Sequence, residues 1–390
     1  MKVPFAFPDC GDEEIREVAD VIKCGWLTTA SRCAQFEQEF AKFIGSKYAL
    51  GVNSGTAALH LGLEALGIGE GNKVLVPTFT FTATAEVVRY LRADPVFVDC
   101  DPETFCLTVD QIEDAITNNK SQITNNSLKA IIPVHLGGHP CDMDAILDFS
   151  SSNELRALED ACHALPTKHN GRLIGTYGDV TCFSFYANKT ITTGEGGMLC
   201  TDDDEIAKRV KVMRLHGIDH DVWDRFSVGA SWEYDVIAPG YKYNMPDICA
   251  ALGIQQLRKA KKFRDRRQQI AGTYYEELKD LPGLILPRIQ CAMGDHSWYL
   301  FNVLIDAKET IKGINRNEFI KEMTKRGVGT SVHYKPLHRM TYYRNRYDLR
   351  PEMFPNAEWV FQRCVCLPIF SAMRDDQLEY VIQNIREILL

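Results

Sequence analysis

The 390 residues carry a net charge of −8, which gives no footing to nucleic-acid binding, where phosphate contacts require a basic stripe. Hydrophobic residues at 45% and charged residues at 25% supply a core for one large or two unequal domains. No run nears the ~18 apolar residues of a membrane span, and the N-terminus lacks a signal-peptide pattern, so a cytoplasmic location is expected. The thirteen cysteines are scattered, the closest being Cys364-x-Cys366. That suits neither a metal cluster nor a disulfide framework and points to reduced core thiols such as Cys200, Cys249 and Cys364.

Along the chain, Ile15, Val18, Val21 and Ile22 recur at spacings of three and four, which predicts an amphipathic helix over 13–24. Residues 55–66, rich in Ala and Leu, read as a second helix. Strand-like runs at 73–78, 95–100, 130–134 and 158–160 alternate with helical stretches, the pattern of an α/β domain with a mostly parallel sheet. Residues 118–127 are polar and read as a surface loop. A long helix is expected from Asp247 to about Arg267, its basic run 261–267 forming a solvated face. A smaller α+β unit follows, with strand-like pieces at 298–305 and 327–332 and a last helix carrying Leu378, Val381, Ile382, Ile385 and Ile388. The expected division is 1–260 and 261–390.

Four segments carry chemistry. In Phe183-Ser184-Phe185-Tyr186-Ala187-Asn188-Lys189-Thr190, a lysine sits between an aromatic strand and the Gly-rich turn Gly194-Glu195-Gly196-Gly197. Burial there would hold its amine rigidly and favour the unprotonated nucleophile; the plain alternative is a hairpin with a surface lysine. In Leu158-Glu159-Asp160-Ala161-Cys162-His163, Asp160 ends a buried strand, where open α/β sheets place ligands; otherwise it is a helix cap and His163 a core histidine. In Asn53-Ser54-Gly55-Thr56-Ala57, small residues open a helix, a seat for phosphate as well as an ordinary cap. Phe81, in Phe79-Thr80-Phe81-Thr82, follows a strand and is placed either to stack on a ring or to pack the core. The four in chain order suit pyridoxal phosphate (PLP), which needs a lysine, a carboxylate beside its pyridine nitrogen and a phosphate cup. No GxGxxG follows the first expected strand, which sets aside a dinucleotide-binding dehydrogenase.

Together these segments resemble the DegT/DnrJ/EryC1/StrS family of PLP-dependent sugar aminotransferases, from Gly25-Trp26-Leu27-Thr28-Thr29 to Leu367-Pro368-Ile369. The resemblance implies fold type I, the aspartate aminotransferase-like fold. Its large domain holds a mostly parallel mixed sheet flanked by helices, and a smaller C-terminal α+β domain follows. It implies Lys189 as the Schiff-base lysine and Asp160 as the pyridinium partner. Ser54, Gly55, Thr56 and Ser184 become the phosphate cup, Phe81 the stacking ring and His163 a contact on the cofactor's side. Relatives acting as sugar dehydratases carry histidine at the lysine position, so Lys189 speaks against that branch.

Where many relatives read Gly-Tyr-Asn-Tyr-Arg, with the asparagine reaching a partner subunit's phosphate, this chain reads Gly240-Tyr241-Lys242-Tyr243-Asn244. Either Lys242 or Asn244 then serves that phosphate. The variant resembles the branch making UDP-4-amino-4-deoxy-L-arabinose. Trp26, Thr28, Thr29, His333 and His338 fall in regions resembling the family's sugar-nucleotide site, where the histidines either bind hydroxyls or phosphate or pack a loop, and Arg214 either holds the amino donor's carboxylates or caps the preceding helix. The implied reaction moves an amino group from L-glutamate to a nucleotide-linked keto-sugar, through pyridoxamine phosphate, in a homodimer with shared sites. Surface glycans or decorated natural products are its natural outlets. The alternatives are dehydration, amination at C3, or a non-catalytic regulator that binds PLP or a sugar nucleotide.

Overall fold

Strands buried on both faces need continuous apolar runs, and Tyr48–Val52, Lys73–Pro77, Asp94–Val98 and Arg156–Asp160 each bury four consecutive residues. The computed structural model describes residues 1–120, 123, 127–219 and 233–390. In chain order, α1 (Asp12–Cys24) and α2 (Ser31–Ile44) precede β1 (Tyr48–Val52), α3 (Gly55–Ala65), β2 (Lys73–Pro77), α4 (Ala83–Tyr90) and β3 (Asp94–Val98). Then come α5 (Val109–Asn118), β4 (Leu128–Ile131), α6 (Met143–Ser152), β5 (Arg156–Asp160) and the small pair β6 (Lys168–His169) and β7 (Arg172–Leu173). The strands β8 (Val180–Ser184) and β9 (Gly197–Thr201) lead into α7 (Asp204–Met213) and the long α8 (Asp247–Leu278). The C-terminal part holds β10 (Leu284–Ile285), β11 (Phe301–Ile305), α9 (Arg316–Lys325), α10 (Thr341–Tyr347), α11 (Pro355–Arg363), β12 (Cys364–Leu367) and α12 (Asp375–Leu389).

Seven strands form one sheet in the order β1-β9-β8-β5-β4-β2-β3. The neighbours from β8 through β5, β4 and β2 to β3 run parallel, and β9 pairs antiparallel with both β8 and β1. The sheet is therefore mixed and mostly parallel, as expected. A second, antiparallel sheet takes β10, β11 and β12 in that order. Among the described residues no helix is long and apolar enough to cross a membrane. All thirteen cysteines are free, Cys200 and Cys364 buried, Cys249 half-buried, and Cys10 and Cys24 exposed.

The helix α8 runs unbroken through residue 260 and on to Leu278, well past the expected end near Arg267. Its first half sends Ala250, Ile254, Leu257, Ala260 and Phe263 into the core around the large sheet. Its second half sends Ile270, Ala271, Tyr274 and Leu278 into the core around the small sheet. Nor is 261–267 wholly a solvated face. Phe263 and Arg267 are buried, and the Arg267 guanidinium lies within hydrogen-bond distance of the carbonyls of Trp298, Tyr299 and Ile369. Burial pulls its pKa down to about 10, so three carbonyl dipoles replace the lost water.

Two further expectations change. Helix α1 forms, but its inward face carries Glu14, Glu17, Val18 and Val21, whereas Ile15 is 65% exposed. The Glu14 carboxylate accepts from the Gly11 N–H, Gln256 and Lys259, which turns the helix towards α8 on a polar anchor. Residues 327–332 do not form a strand. They make single bridges, Val328 with Val3 and Ser331 with Cys366, and Gly327, with a φ of +74°, belongs to the left-handed turn that closes α9. Of the polar stretch 118–127, residues 121–122 and 124–126 lie outside the described residues.

Candidate active site

Open α/β sheets bind ligands at the carboxyl ends of their parallel strands. Here β2, β5 and β8 end around a cavity of about 320 Å³. The sequence-predicted Ser54, Gly55, Thr56, Phe81, Asp160, His163, Ser184, Lys189 and His333 all line it.

Asp160 is the last residue of β5 and only 6% exposed. One carboxylate oxygen accepts from the Thr84 hydroxyl (2.8 Å) and the other from the Cys162 N–H (3.2 Å). Thr84 in turn bonds Thr80 at 2.9 Å. Two hydrogen bonds leave a carboxylate with further acceptor capacity, here facing a cavity.

Ser54 caps α3, its Oγ accepting the Ala57 N–H at 3.0 Å and its carbonyl the Ala58 N–H. Gly55 and Thr56, in the first turn, face the cavity. A Cβ on Gly55 would stand 2.8 Å from the Ser184 Cβ and 3.0 Å from the Cys162 sulfur. Only glycine lets the positive end of α3 approach β8 this closely.

Lys189 follows β8, its N–H donating to the Tyr186 carbonyl at 2.9 Å. Its half-buried side chain places Nζ 4.5 Å above the Tyr299 ring. Tyr299, whose hydroxyl donates to Asn188 Oδ1 at 3.1 Å, also packs its ring against His163 at 4.4 Å.

His163 is almost fully buried. Its Nδ1 accepts the Gly137 N–H at 3.2 Å, so a neutral ring carries its proton on Nε2, which faces the Tyr334 hydroxyl at 3.0 Å. Burial, and then the charges of Lys189 and His333, hold its pKa well below the usual range. The loop that presents Gly137 has φ of +66° at Gly137 and +100° at Gly138, and a Cβ on Gly138 would collide with Ser297. Behind that loop, His135 takes the Cys141 N–H on Nδ1 and faces Glu159 with Nε2 at 3.1 Å. His333 stacks on Phe5 at 5.5 Å, and burial followed by the Lys189 charge pushes its pKa down to about 4. Phe81, 54% exposed, leans on Tyr334 with centroids 5.7 Å apart.

Other sequence-predicted residues lie elsewhere. Arg214 is buried against Glu37 (2.5 Å) and the Gly51 carbonyl (3.0 Å), tying α7 to β1 and α2. Trp26, Thr28, Thr29, Lys242 and Asn244 lie outside the cavity lining. Asn244 donates to the Thr29 hydroxyl at 2.6 Å, whereas Lys242 is exposed.

His338 is fully buried, with Nδ1 on the Thr78 hydroxyl (2.8 Å), Nε2 on Glu358 (2.7 Å) and Phe354 stacked on its ring. Both nitrogens are occupied, so the structure gives it a packing task in place of the expected substrate contact. Glu358 also takes a two-pronged contact from Arg339, and these bonds hold its pKa down at about 2. A carboxylate whose folded pKa is depressed stabilises above its unfolded value and loses that contribution as pH falls. Glu358→Gln is therefore expected to cost about 1–3 kcal/mol at neutral pH. The gap from the unmodified protein in thermal unfolding should shrink between pH 4.5 and about 2. A gap of constant size over that range would refute the ion-pair account.

Sequence reasoning missed Thr80, Thr84, Asn188, Tyr299 and Tyr334, all at or beside the cavity. Thr80 and Thr84 share the run that contains Phe81 and sit four apart on one side of a turn, a readable signal. Tyr334 lies beside His333 in a segment already marked for the substrate site, whereas Tyr299 has no local signal, because long-range folding delivers it.

Comparison with known proteins agrees with this geometry. The DegT/DnrJ/EryC1/StrS aminotransferase family model matches residues 8–386. The uncharacterized protein MJ1066 of Methanocaldococcus jannaschii is 48% identical over 386 residues, covering 99% of this chain and 97% of its own. The spore coat polysaccharide biosynthesis protein SpsC of Bacillus subtilis is 42% identical over 388 residues, with the same coverage. Among solved structures, the putative sugar aminotransferase Spr1654 of Streptococcus pneumoniae in its PMP-form superposes with a TM-score of 0.89. It is 31% identical, and the match covers 100% of both chains.

Proposed function

Because the chain belongs to the DegT/DnrJ/EryC1/StrS aminotransferase family, we propose that it is a PLP-dependent aminotransferase carrying an amino group from L-glutamate to a nucleotide-linked keto-sugar. The observation that carries this reading is a buried carboxylate, a lysine amine and a glycine-opened helix N-terminus around one cavity. That donor set fits PLP. Asp160 has acceptor capacity left for a protonated ring nitrogen. The first turn of α3, with the hydroxyls of Ser54, Thr56 and Ser184, offers a phosphate seat, and Phe81 an aromatic face. When bound, PLP supplies an electron sink for the pair left behind as a proton departs the amino acid's α-carbon.

The chain's own residues do the rest. Asp160 keeps the ring nitrogen's proton in place by its negative charge. The Lys189 Nζ anchors the cofactor between reactions, takes the proton from the donor's α-carbon and gives it back on the other side of the transfer. The hydrogen bond from Thr84 holds the carboxylate in one orientation, so its charge is set before the reaction starts. The same groups act in reverse order once the keto-sugar occupies the cavity. The sugar class is supported by the sugar aminotransferase and spore coat polysaccharide descriptions of the relatives, and the Gly240-Tyr241-Lys242-Tyr243-Asn244 variant favours amination at C4. In a homodimer with shared sites, Lys242 is the better partner for the neighbouring subunit's phosphate, since the Asn244 amide is committed to Thr29.

The test is the absorbance spectrum of the protein with PLP, before and after L-glutamate. The expected result is a visible cofactor band that glutamate converts to the pyridoxamine form, with 2-oxoglutarate released. NMR of the product formed from UDP- or dTDP-linked 4-keto-sugars then fixes the position of the new amine. A cofactor band that neither glutamate nor glutamine alters would overturn the aminotransferase reading.

A further inference from the structure

A lysine that anchors a cofactor, takes a proton and returns it is released between those tasks. Its freed amine then needs a partner that holds it without trapping it. An ion pair with a carboxylate would pin the ammonium. Among the described residues Nζ has instead an aromatic partner, the face of Tyr299 at 4.5 Å. Attraction to a ring face is weak enough to be left and regained. We infer that Tyr299 is a positioning residue, the seat on which the Lys189 amine rests whenever the lysine is free of the cofactor. This rests on the PLP reading above.

Three observations support the assignment. First, the ring is tied to the lysine's own loop, because the Tyr299 hydroxyl donates to Oδ1 of Asn188, the residue before Lys189, at 3.1 Å. Second, the chain just before the ring is held in a costly conformation. Trp298 is fully buried with a φ of +53°, a region that bulky side chains rarely enter. Its N–H donates to His296 Nδ1 at 2.8 Å, its indole N–H to the Met293 carbonyl at 3.1 Å, and its ring stacks on His296 at 4.1 Å. Backbone strain persists where the surroundings over-determine it, and it is concentrated at functional sites. Here the strained residue packs into the core of the small sheet while the next one, Tyr299, lines the cavity. Third, Tyr299 is only 4% exposed and its ring packs against His163 at 4.4 Å, so the ring stays fixed while the amine moves.

The test uses protein loaded with pyridoxamine phosphate, which leaves Lys189 unattached, and reads acetylation of its amine by acetic anhydride at one fixed pH. Peptide mass spectrometry compares Lys189 with the exposed Lys261 as an internal reference. An ammonium held on a ring face is a poor nucleophile. Tyr299→Leu removes the face and should raise the tagging rate of Lys189 about two- to fivefold, the size of a modest cation–π contact. Tyr299→Phe keeps the face and should tag at the unmodified rate. Trifluorophenylalanine at the same position keeps the shape of phenylalanine but loses the negative face. It should tag as fast as Tyr299→Leu, which separates the ring's electrostatics from its packing. With either faceless side chain, the glutamate half of the reaction should slow about tenfold or more, the scale of a misplaced acid–base group, with KM for glutamate little changed. The inference is overturned if the trifluorinated ring tags at the unmodified rate, or if Tyr299→Phe already tags as fast as Tyr299→Leu. An unmodified protein whose cofactor band glutamate leaves unaltered would instead overturn the reading beneath it, so the two failures are distinguishable.

Discussion

Lys189→Ala is expected to lower transamination by at least about 1000-fold, the scale of a positioned acid–base group, while the protein stays folded. The argument for an intact fold is local. The Lys189 N–H bond to the Tyr186 carbonyl belongs to the backbone and survives the change. What is lost is the ammonium over the Tyr299 ring at 4.5 Å, a contact worth about 0.5–1 kcal/mol at a half-exposed position. Release of 2-oxoglutarate from glutamate measures the first effect and circular dichroism against temperature the second. PLP should also leave the variant on dialysis, since nothing covalent retains it. Substantial turnover would remove Lys189 from the mechanism.

Asp160→Asn should cost about 100- to 1000-fold in rate, the range for losing a preorganised electrostatic partner, with PLP still in place. Asparagine keeps the shape and one acceptor for the Thr84 hydroxyl, so the loss of the negative charge comes with the loss of only one hydrogen bond, that from the Cys162 N–H. Asp160→Ala should lose activity too. It also strands the Thr84 hydroxyl and the Cys162 N–H, at about 1–3 kcal/mol of stability, so it tests charge and structure together. Steady-state rates on both variants, beside their cofactor absorbance, separate binding from turnover. Near-normal rates would refute the assigned role.

The alternation of strands and helices was legible because parallel strands buried on both faces are largely apolar, and the cores of 73–78 and 95–100 show this without any tertiary knowledge. Asp160 and Ser184 end β5 and β8, so half of the cavity could be read from segments of a few residues. Legibility failed wherever a distant partner decides the outcome. Residues 327–332 look extended but meet only single partners, Val3 and Cys366. The inward face of α1 is set by Lys259 and Gln256, more than two hundred residues away. His338 looked chemical because its segment resembles the family's substrate region, and Arg214 because a cation there could hold the donor's carboxylates. Their real partners, Glu358 and Glu37, are invisible to local pattern. Tyr299 is the reverse case, an aromatic residue in an unremarkable segment that reaches the cavity only because the chain beyond α8 returns to it.

That return runs through a single rod. At 1.5 Å per residue, the 32 residues of α8 make a lever about 48 Å long, with one end packed on α1 and α2, where Gln256 accepts the Thr192 N–H three residues past Lys189, and the other under the small sheet. Arg267, partway along, grips the carbonyls of Trp298 and Tyr299. The perch beneath the Lys189 amine and the loop that carries the lysine are thus both tied to one helix. A drift of either half bends the rod or tears that grip, so the alignment of amine and aromatic ring rests on the helix as well as on the contact the two make with each other.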